Sequence, residues 1–176
     1  MTVDELISEI KRSTQHIYLY HFTDKSNLES INMKGLLSKE KMRAEGWWPE
    51  RTGGNELSHS LDTYRGIDPF VSLCMTQNHP MKFTACSTGS LSEPVYLAIQ
   101  PEILKTPGAK MAFGVANANS TEIHLLEKAL DKLDTEVIYR RTNWADPDVN
   151  QRLRAAEKYE ILIPGAVPRD LIAGTC

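Results

Sequence analysis

The sequence predicts an α+β fold in which helices flank a mostly antiparallel core. Runs of β-branched and aromatic residues recur along the chain, and helical stretches separate them without the regular strand–helix–strand alternation of a doubly wound parallel sheet. The chain has 176 residues, of which 41% are hydrophobic, so it is long enough to bury a core. Because no linker or internal repeat divides it, we expect one domain spanning residues 1–176.

Hydrophobic periodicity and turn residues define the elements of the N-terminal half. Either Thr23 or Asp24 can cap the second helix. Residues 46–62 are predicted to form a long loop, in which Trp47 and Trp48 either dock on the core or offer a stacking surface. The predicted elements are a helix over 3–13, a strand over 17–22, a helix over 25–33, a helix over 38–45, a strand over 70–75, a helix over 81–85 and a strand over 95–99.

The C-terminal half is predicted to combine strands and helices around one polar loop. That loop covers residues 140–148, and residues 137–139 before it either continue a helix or form a strand. The predicted elements are a helical turn over 101–104, a strand over 111–115, a helix over 122–133, a helix over 149–156, a strand ended by Pro164, and a turn with a final strand over 167–172.

The strand that ends at Pro164 places a carboxylate among apolar residues. Apolar side chains at every second position share one face, whereas Glu160 lies on the other face with Leu162. Burying an unpaired carboxylate is costly. Glu160 therefore is paired, lies in water at a sheet edge, or faces a cleft that holds a polar ligand.

Three further polar side chains fall at strand positions. His21 and Thr23 stand at the end of an apolar strand and can face a cleft, although a structural histidine is the more frequent case. Ser72 lies inside an apolar strand, where a hydroxyl bonded to the backbone is the alternative. The sequence has no phosphate loop, dinucleotide fingerprint, zinc-protease motif or nucleophile elbow. Its histidines are scattered, so we expect no metal.

Charge and cysteine content limit the possible binding partners and the cellular compartment. A net charge of −3 argues against a broad basic face for duplex DNA, so any nucleic-acid contact must come from a local patch. The N-terminus is acidic and lacks the apolar core of a signal peptide. No apolar run approaches the roughly 20 residues that span a bilayer. Cys74, Cys86 and Cys176 form neither a metal-ligand spacing nor a disulfide framework, which predicts a cytoplasmic protein without membrane association.

Six groups of residues occur in the same order as in one known family. They are 20–24 (Tyr-His-Phe-Thr-Asp) with 27–28, 31 and 35–37; 60–62; 70–73; 79–81; 114–118; and 154–164 with 167–168 and 172. Together they resemble the DarT family of nucleic-acid ADP-ribosyltransferases over nearly the whole chain. The resemblance implies an ADP-ribosyltransferase-like fold, with mostly antiparallel central sheets and flanking helices.

The resemblance also implies an activity, which is the transfer of ADP-ribose from NAD to a base, usually in single-stranded DNA. Breaking the bond between nicotinamide and ribose develops positive charge on the ribose. Glu160 matches the family's catalytic glutamate, whose carboxylate stabilises that charge and accepts a proton from the attacking base nitrogen. Tyr159 replaces the alanine that usually precedes this glutamate, so Glu157 stays open as an alternative.

The NAD site is assigned by the same resemblance, with no metal. A loop arginine is expected at the pyrophosphate; Arg51 is the first choice and is grouped with Glu160 as catalytic, and Arg65 is the second. The residues predicted to bind the cofactor are His21, Phe22, Thr23, Asn27, Leu36, Arg65 and Ser72.

A basic segment with one tryptophan precedes the strand of Glu160. Its predicted nucleic-acid-binding residues are Arg140, Arg141, Asn143, Trp144, Arg152, Arg154 and Lys158. Cations hold phosphates, and an aromatic ring stacks on an unpaired base. A solvated charged loop is the alternative, but ADP-ribosyltransferases carry their substrate-recognition loop at this place, which favours nucleic acid.

We therefore predict a mono-ADP-ribosyltransferase that modifies a base in single-stranded DNA, as a bacterial toxin or phage-defence effector. The resemblance implies a partner, a macrodomain-type antitoxin that removes the modification. The alternatives are a transferase acting on RNA or protein, and an inactive module that binds NAD or nucleic acid. The joint presence of His21, Thr23 and Glu160 argues against inactivity.

Overall fold

The computed structural model of the chain describes residues 1–49, 51, 56–140 and 142–176. Its α-helices are α1 (Val3–Arg12), α2 (Leu28–Lys34), α3 (Lys39–Glu45), α4 (Glu56–Tyr64), α5 (Pro80–Ser87), α6 (Leu126–Ala129), α7 (Thr135–Tyr139) and α8 (Pro147–Ala156). Its strands are β1 (Leu19–Asp24), β2 (Leu36–Leu37), β3 (Phe70–Cys74), β4 (Pro94–Ile99), β5 (Lys110–Ala112), β6 (Ile123–Leu125), β7 (Glu160–Pro164), β8 (Ala166–Val167) and β9 (Ile172–Thr175). Short 3-10 helices cover Lys25–Asn27, Pro101–Lys105, Leu130–Lys132 and Arg169–Leu171.

One large sheet carries the fold. Within the described residues it has seven strands in the order β6-β5-β7-β3-β1-β4-β9, and β2 pairs with β8 in a separate ribbon. Every strand pair in the described part of the chain is antiparallel. The predicted α+β class is therefore confirmed, and so is its antiparallel character.

Strand β7 lies between β3 and β5, in the interior of the sheet. Ile161 and Ile163 enter the main hydrophobic core, whereas Leu162 packs in a smaller cluster on the opposite face with Ala112. This is the alternation that the sequence predicts. Glu160 pairs with strands on both sides and is 7% exposed, so a water-exposed edge glutamate does not fit the structure.

Several predicted elements differ from the structure. The predicted strand over 111–115 is the shorter β5, and the predicted final strand over 167–172 is divided into β8, a 3-10 helix and the start of β9. The first strand is displaced, because Leu19–Asp24 rather than residues 17–22 pairs with β4, and the strand therefore includes Thr23. Part of the predicted long loop belongs to helix α4. Its residues are mostly polar, so the sequence shows little hydrophobic periodicity there. The predicted helix over 122–133 begins as strand β6, because β5 needs a partner on its open edge; only its later residues are helical. Residues 137–139, left open, belong to a short helix.

A buried aspartate fixes the end of β1 to the turn before β4. Asp24 is 2% exposed, and its carboxylate accepts hydrogen bonds from the backbone N–H groups of Ser26, Ser92 and Glu93 and from the hydroxyls of Ser26 and Ser92. Burial alone would raise the pKa of Asp24, but these hydrogen bonds outweigh burial and hold the pKa well below its usual range. The carboxylate also caps the 3-10 helix that leads to Asn27.

Replacing Asp24 by asparagine should lower the free energy of unfolding by on the order of 1–2 kcal/mol at pH 7, because a charged acceptor of several donors is lost. The folded-state pKa of Asp24 lies below the unfolded value of roughly 4, so its contribution is present above that pH and is lost as the pH falls further. Urea unfolding at pH 7 and pH 3 measures this. The difference between parent and variant should shrink at pH 3, and an equal difference at both pH values would contradict the assignment.

Candidate functional site

A cavity of about 280 Å³ opens over β1, β3 and β7. Its other walls come from α2, β2, α3, Trp47–Pro49, Arg51, α4 and the segment around Val115. The predicted catalytic and cofactor-binding residues that line it are His21, Phe22, Thr23, Asn27, Leu36, Arg51, Ser72 and Glu160. The structure thus brings together all of those predicted residues except Arg65.

At the first position of β7, each carboxylate oxygen of Glu160 has one close polar neighbour. The backbone N–H of Ala116 lies 3.3 Å from Oε2, and Nε2 of the fully buried His79 lies 3.2 Å from Oε1. Each oxygen keeps further lone-pair capacity, because an ionised carboxylate accepts about four hydrogen bonds. These two contacts restrain the carboxylate, and Glu160 still lines the cavity.

His21 presents a nitrogen acceptor to the same cavity. Its Nδ1 lies 2.9 Å from the backbone carbonyl oxygen of Ser72, so Nδ1 carries the proton and donates, and Nε2 is left as the acceptor. Burial lowers the pKa of His21 and outweighs the hydrogen bond to Ser72 and the charge of Glu160, both of which act to raise it. The ring is therefore neutral at pH 7. For Ser72, the structure gives the carbonyl a positioning role that the sequence had not suggested.

Asn27 carries an unpartnered buried acceptor beside the cavity. Its Nδ2 donates to Thr23 Oγ1 at 3.1 Å and to the carbonyl oxygen of Arg51 at 2.7 Å, which uses both amide hydrogens. Its Oδ1 is buried and has no hydrogen-bond partner among the described residues. Because an unpaired buried acceptor is costly, a ligand donor reaching Asn27 would stabilise this wall. The cavity thus fits a ligand with amide or hydroxyl donors, as NAD has.

The two candidate arginines occupy different places. Arg51 is exposed and lines the cavity. Arg65 lies outside it and donates to the carbonyl oxygens of Thr121 at 2.7 Å and Asn119 at 3.4 Å, so it anchors the chain before β6. A role for Arg65 in holding NAD stays a prediction, and the geometry favours Arg51.

One polar wall of the cavity was missed by the sequence interpretation. Asp62 on α4 forms an ion pair with Lys39 on α3 and accepts a hydrogen bond from Asn117 Nδ2 at 2.9 Å. Asp62 and Asn117 both lie in segments that carried the family resemblance, so a signal for them existed. Lys39 gave none, because a lysine in the first turn of an amphipathic helix is ordinary.

Glu157 lies at the end of α8 and does not line the cavity. Asn78 Nδ2 donates to its Oε1 at 3.0 Å. Of the two glutamates that the sequence left open, only Glu160 faces the residues described above.

The basic segment before β7 divides into engaged and open side chains. Arg152 donates to Asp134 at 2.7 and 2.9 Å and to Glu136 at 2.7 Å. Arg140 donates to Glu9 at 3.0 Å. Because Arg152 joins α8 to Asp134 and Glu136, its guanidinium is less available for the predicted contact with nucleic acid.

Trp144 and Arg154 are the open members of the same segment. Trp144 is 44% exposed and, with Arg154, borders a second, open concavity of about 390 Å³. Lys158 is exposed as well, and Asn143 is exposed with its Oδ1 accepting from the N–H of Ala145 at 3.2 Å. Arg141, also predicted here, lies outside the described residues.

Neither a metal-binding cluster nor a membrane-spanning helix occurs among the described residues. No group of three or more histidine, cysteine, aspartate or glutamate side chains there is arranged to hold a metal ion. None of the helices in the described ranges has the length and apolar character needed to cross a membrane.

Comparisons with known proteins identify the fold and the family. Thermus sp. 2.9 DarT in complex with ADP-ribosylated single-stranded DNA superposes with a TM-score of 0.63 at 20% identity, covering 88% of this chain and 78% of that one. The same DarT in complex with NAD+ gives 0.57 at 20% identity, with the same coverage. Thermosipho africanus DarTG in complex with ADP-ribose gives 0.66 at 20% identity, covering 88% of this chain and 42% of that one. Among curated proteins, none matches significantly in sequence.

A family model described as "ssDNA thymidine ADP-ribosyltransferase, DarT" matches residues 20–176, which include every residue that lines the cavity. The family and the fold predicted from sequence are both confirmed. The chain therefore belongs to the DarT family of single-stranded-DNA thymidine ADP-ribosyltransferases, enzymes that use NAD as the ADP-ribose donor.

Proposed function

We propose that the Glu160 cavity transfers ADP-ribose from NAD to a thymidine base in single-stranded DNA. The observation that carries this proposal is a buried carboxylate, with a close polar neighbour at each oxygen, in a cavity also lined by Asn27, whose buried amide oxygen has no partner among the described residues. The first group suits a reaction that develops positive charge, and the second suits a ligand with hydrogen-bond donors.

Glu160 has two tasks in this proposal. Its negative charge stabilises the positive charge that develops on the ribose as the nicotinamide bond breaks. Its free lone pairs accept the proton that the attacking base nitrogen must lose. Both tasks need a fixed carboxylate, and the hydrogen bond from Ala116 and the close contact with His79 supply that constraint.

His21 and Asn27 are assigned to the nicotinamide end of NAD. His21 offers Nε2, and Asn27 offers Oδ1, so both present acceptors to a carboxamide or a ribose hydroxyl. Thr23 orients Asn27, and Phe22 and Leu36 supply apolar wall. The cavity is small for the whole of NAD, so we place the pyrophosphate and adenosine along its open side, past Arg51.

Arg51→Ala should raise the KM for NAD about tenfold and leave kcat within a few-fold, because a charged contact to the pyrophosphate is lost. Initial rates against NAD concentration, at saturating DNA, measure this. Arg65→Ala is the matched control, since that arginine points at backbone carbonyls outside the cavity. If Arg65→Ala alone raised the KM for NAD, the second-choice arginine would be the correct one.

The DNA is assigned to the concavity that Trp144 and Arg154 border, with Arg140, Asn143 and Lys158 as further predicted contacts. Arg141 is also a predicted contact, outside the described residues. An exposed indole can stack on a base, and the neighbouring cations can hold phosphates. We leave Arg152 out of this contact because its guanidinium is already bound by acidic side chains.

Labelled NAD tests the acceptor directly. The protein is incubated with labelled NAD and, separately, with single-stranded DNA containing thymidine, the same DNA lacking thymidine, duplex DNA, RNA and protein. We expect label on thymidine-containing single-stranded DNA only. Label on RNA or on protein would support the alternative acceptors, and no label on any acceptor would support the inactive binding module.

We also infer a toxin role for one domain, residues 1–176, in the cytoplasm, with an antitoxin of the macrodomain type as its partner. Support comes from the similarity to a longer protein, Thermosipho africanus DarTG, of which the matched region is 42%. Expression of the chain in bacteria should arrest growth, and co-expression of a macrodomain that removes ADP-ribose from DNA should restore it. Growth arrest that such a hydrolase does not relieve would contradict this partner.

A further inference from the structure

His79 is a fully buried histidine directly behind Glu160. It has no exposed surface and precedes Pro80, the first residue of α5. It does not line the cavity, so it is placed to act on Glu160 rather than on a ligand. Neither the predicted catalytic residues nor the predicted cofactor-binding residues include it.

The hydrogen bonds of His79 assign its tautomer. Its Nδ1 lies 3.3 Å from the backbone nitrogen of Met81, which is a donor, so Nδ1 accepts and caps the start of α5. The proton of the neutral ring is therefore on Nε2. That N–H donates to the carbonyl oxygen of Lys158 at 3.4 Å, and Nε2 also lies 3.2 Å from Glu160 Oε1.

The ring is also held by packing. The ring of Phe22 stacks on His79 with centroids 6.3 Å apart and an interplanar angle of 25°. His79 is thus fixed by a backbone donor on one nitrogen and by an aromatic face. A donor that is held in this way selects one orientation of the carboxylate it contacts.

We propose that His79 is a positioning residue for the transferase reaction: Nε2–H holds the chain just before Glu160 by its bond to the Lys158 carbonyl oxygen and lies against Glu160 Oε1, while Nδ1 caps α5. The proposal rests on the assigned role of Glu160. Ala116 N–H holds the other carboxylate oxygen, so loss of His79 removes the contact at Oε1 and the bond to the Lys158 carbonyl, and Glu160 gains an additional orientation. A misdirected carboxylate stabilises the transition state less, while the bound ligand contacts other residues.

Two substitutions test the two ring nitrogens of His79 separately. The amide oxygen of asparagine reaches the Nδ1 position, so His79→Asn keeps the cap and loses the Nε2–H group that bonds Lys158 and lies against Glu160. The amide nitrogen of glutamine reaches the Nε2 position, so His79→Gln keeps the donor. We expect His79→Asn to lower kcat roughly tenfold with the KM for NAD within about threefold, and His79→Gln to retain at least about half of the parent kcat.

Coupling to Glu160 is the second readout. In a Glu160→Gln background, His79→Asn should lower the remaining rate by less than about twofold, because the group it orients is already gone. Circular dichroism and thermal unfolding check that each variant is folded. Equal kcat for parent and His79→Asn, equal losses in the asparagine and glutamine variants, or additive effects with Glu160→Gln would overturn the proposal. If Glu160→Gln itself left the rate unchanged, the assigned role of Glu160 would fail instead.

Discussion

Glu160→Gln should lose on the order of a hundredfold or more in transfer rate while it binds NAD within a few-fold of the parent. Glutamine keeps the size and much of the hydrogen-bonding shape of glutamate but removes the negative charge. Because positive charge develops on the ribose only as the nicotinamide bond breaks, that charge matters in the transition state more than in the bound ground state. The effect should therefore appear in kcat rather than in the KM for NAD.

Glu157→Gln is the internal control for this experiment. Glu157 is hydrogen-bonded to Asn78 at the end of α8, outside the cavity, so its replacement should leave the transfer rate within about twofold. Single-turnover rates with labelled NAD and NAD binding by calorimetry measure chemistry and affinity separately. The opposite pattern, in which Glu157→Gln is inactive and Glu160→Gln is active, would mean that the wrong glutamate has been assigned.

The strand of Glu160 shows what could be predicted from the sequence. Alternation of apolar residues gave the two faces of β7, because side chains of a strand point to opposite sides at every step. The position of β7 inside the sheet could not be predicted from the sequence, because it depends on which strands pair with β7. Only the pairings with β3 and β5 show that Glu160 is shielded from water by neighbours on both sides.

The elements that were missed depend on tertiary contacts. Residues 123–125 carry the apolar spacing of a helix, yet they pair with β5 because that strand otherwise ends the sheet with open hydrogen-bonding groups. Helix α4 is polar. Its Asp62 forms an ion pair with Lys39 and accepts a hydrogen bond from Asn117, and both partners lie far away in sequence. Local periodicity carries no information on such partners.

The role of His79 was hidden for a similar reason. The histidine and the following proline read from sequence as a turn before a helix, and the structure confirms that part, with His79 as the cap of α5. Its second nitrogen reaches Glu160 only because α5 begins next to β7 in space. The family resemblance located the segment around His79 but gave this residue no task.

The last expected result concerns DNA. Trp144→Ala and Arg154→Ala should each weaken binding of single-stranded DNA, with the tryptophan losing on the order of 1–3 kcal/mol, which is about five- to more than a hundredfold in Kd. The physical reason is that an exposed indole stacks on an unpaired base, and an exposed guanidinium holds a phosphate. Slow hydrolysis of NAD by water should persist in both variants, because neither residue lines the cavity.

Arg152→Ala supplies the matched contrast on the same helix. Its guanidinium joins Asp134, Glu136 and Asp148, so its loss should lower thermal stability while DNA affinity stays within about twofold. Fluorescence anisotropy with a thymidine-containing oligonucleotide, at two salt concentrations, measures all three variants. Arg154→Ala should also reduce the dependence of affinity on salt, since one phosphate contact is removed, whereas Arg152→Ala should not. A large loss of DNA affinity in Arg152→Ala alone would mean that these ion pairs open on binding and that the DNA contacts the other side of α8.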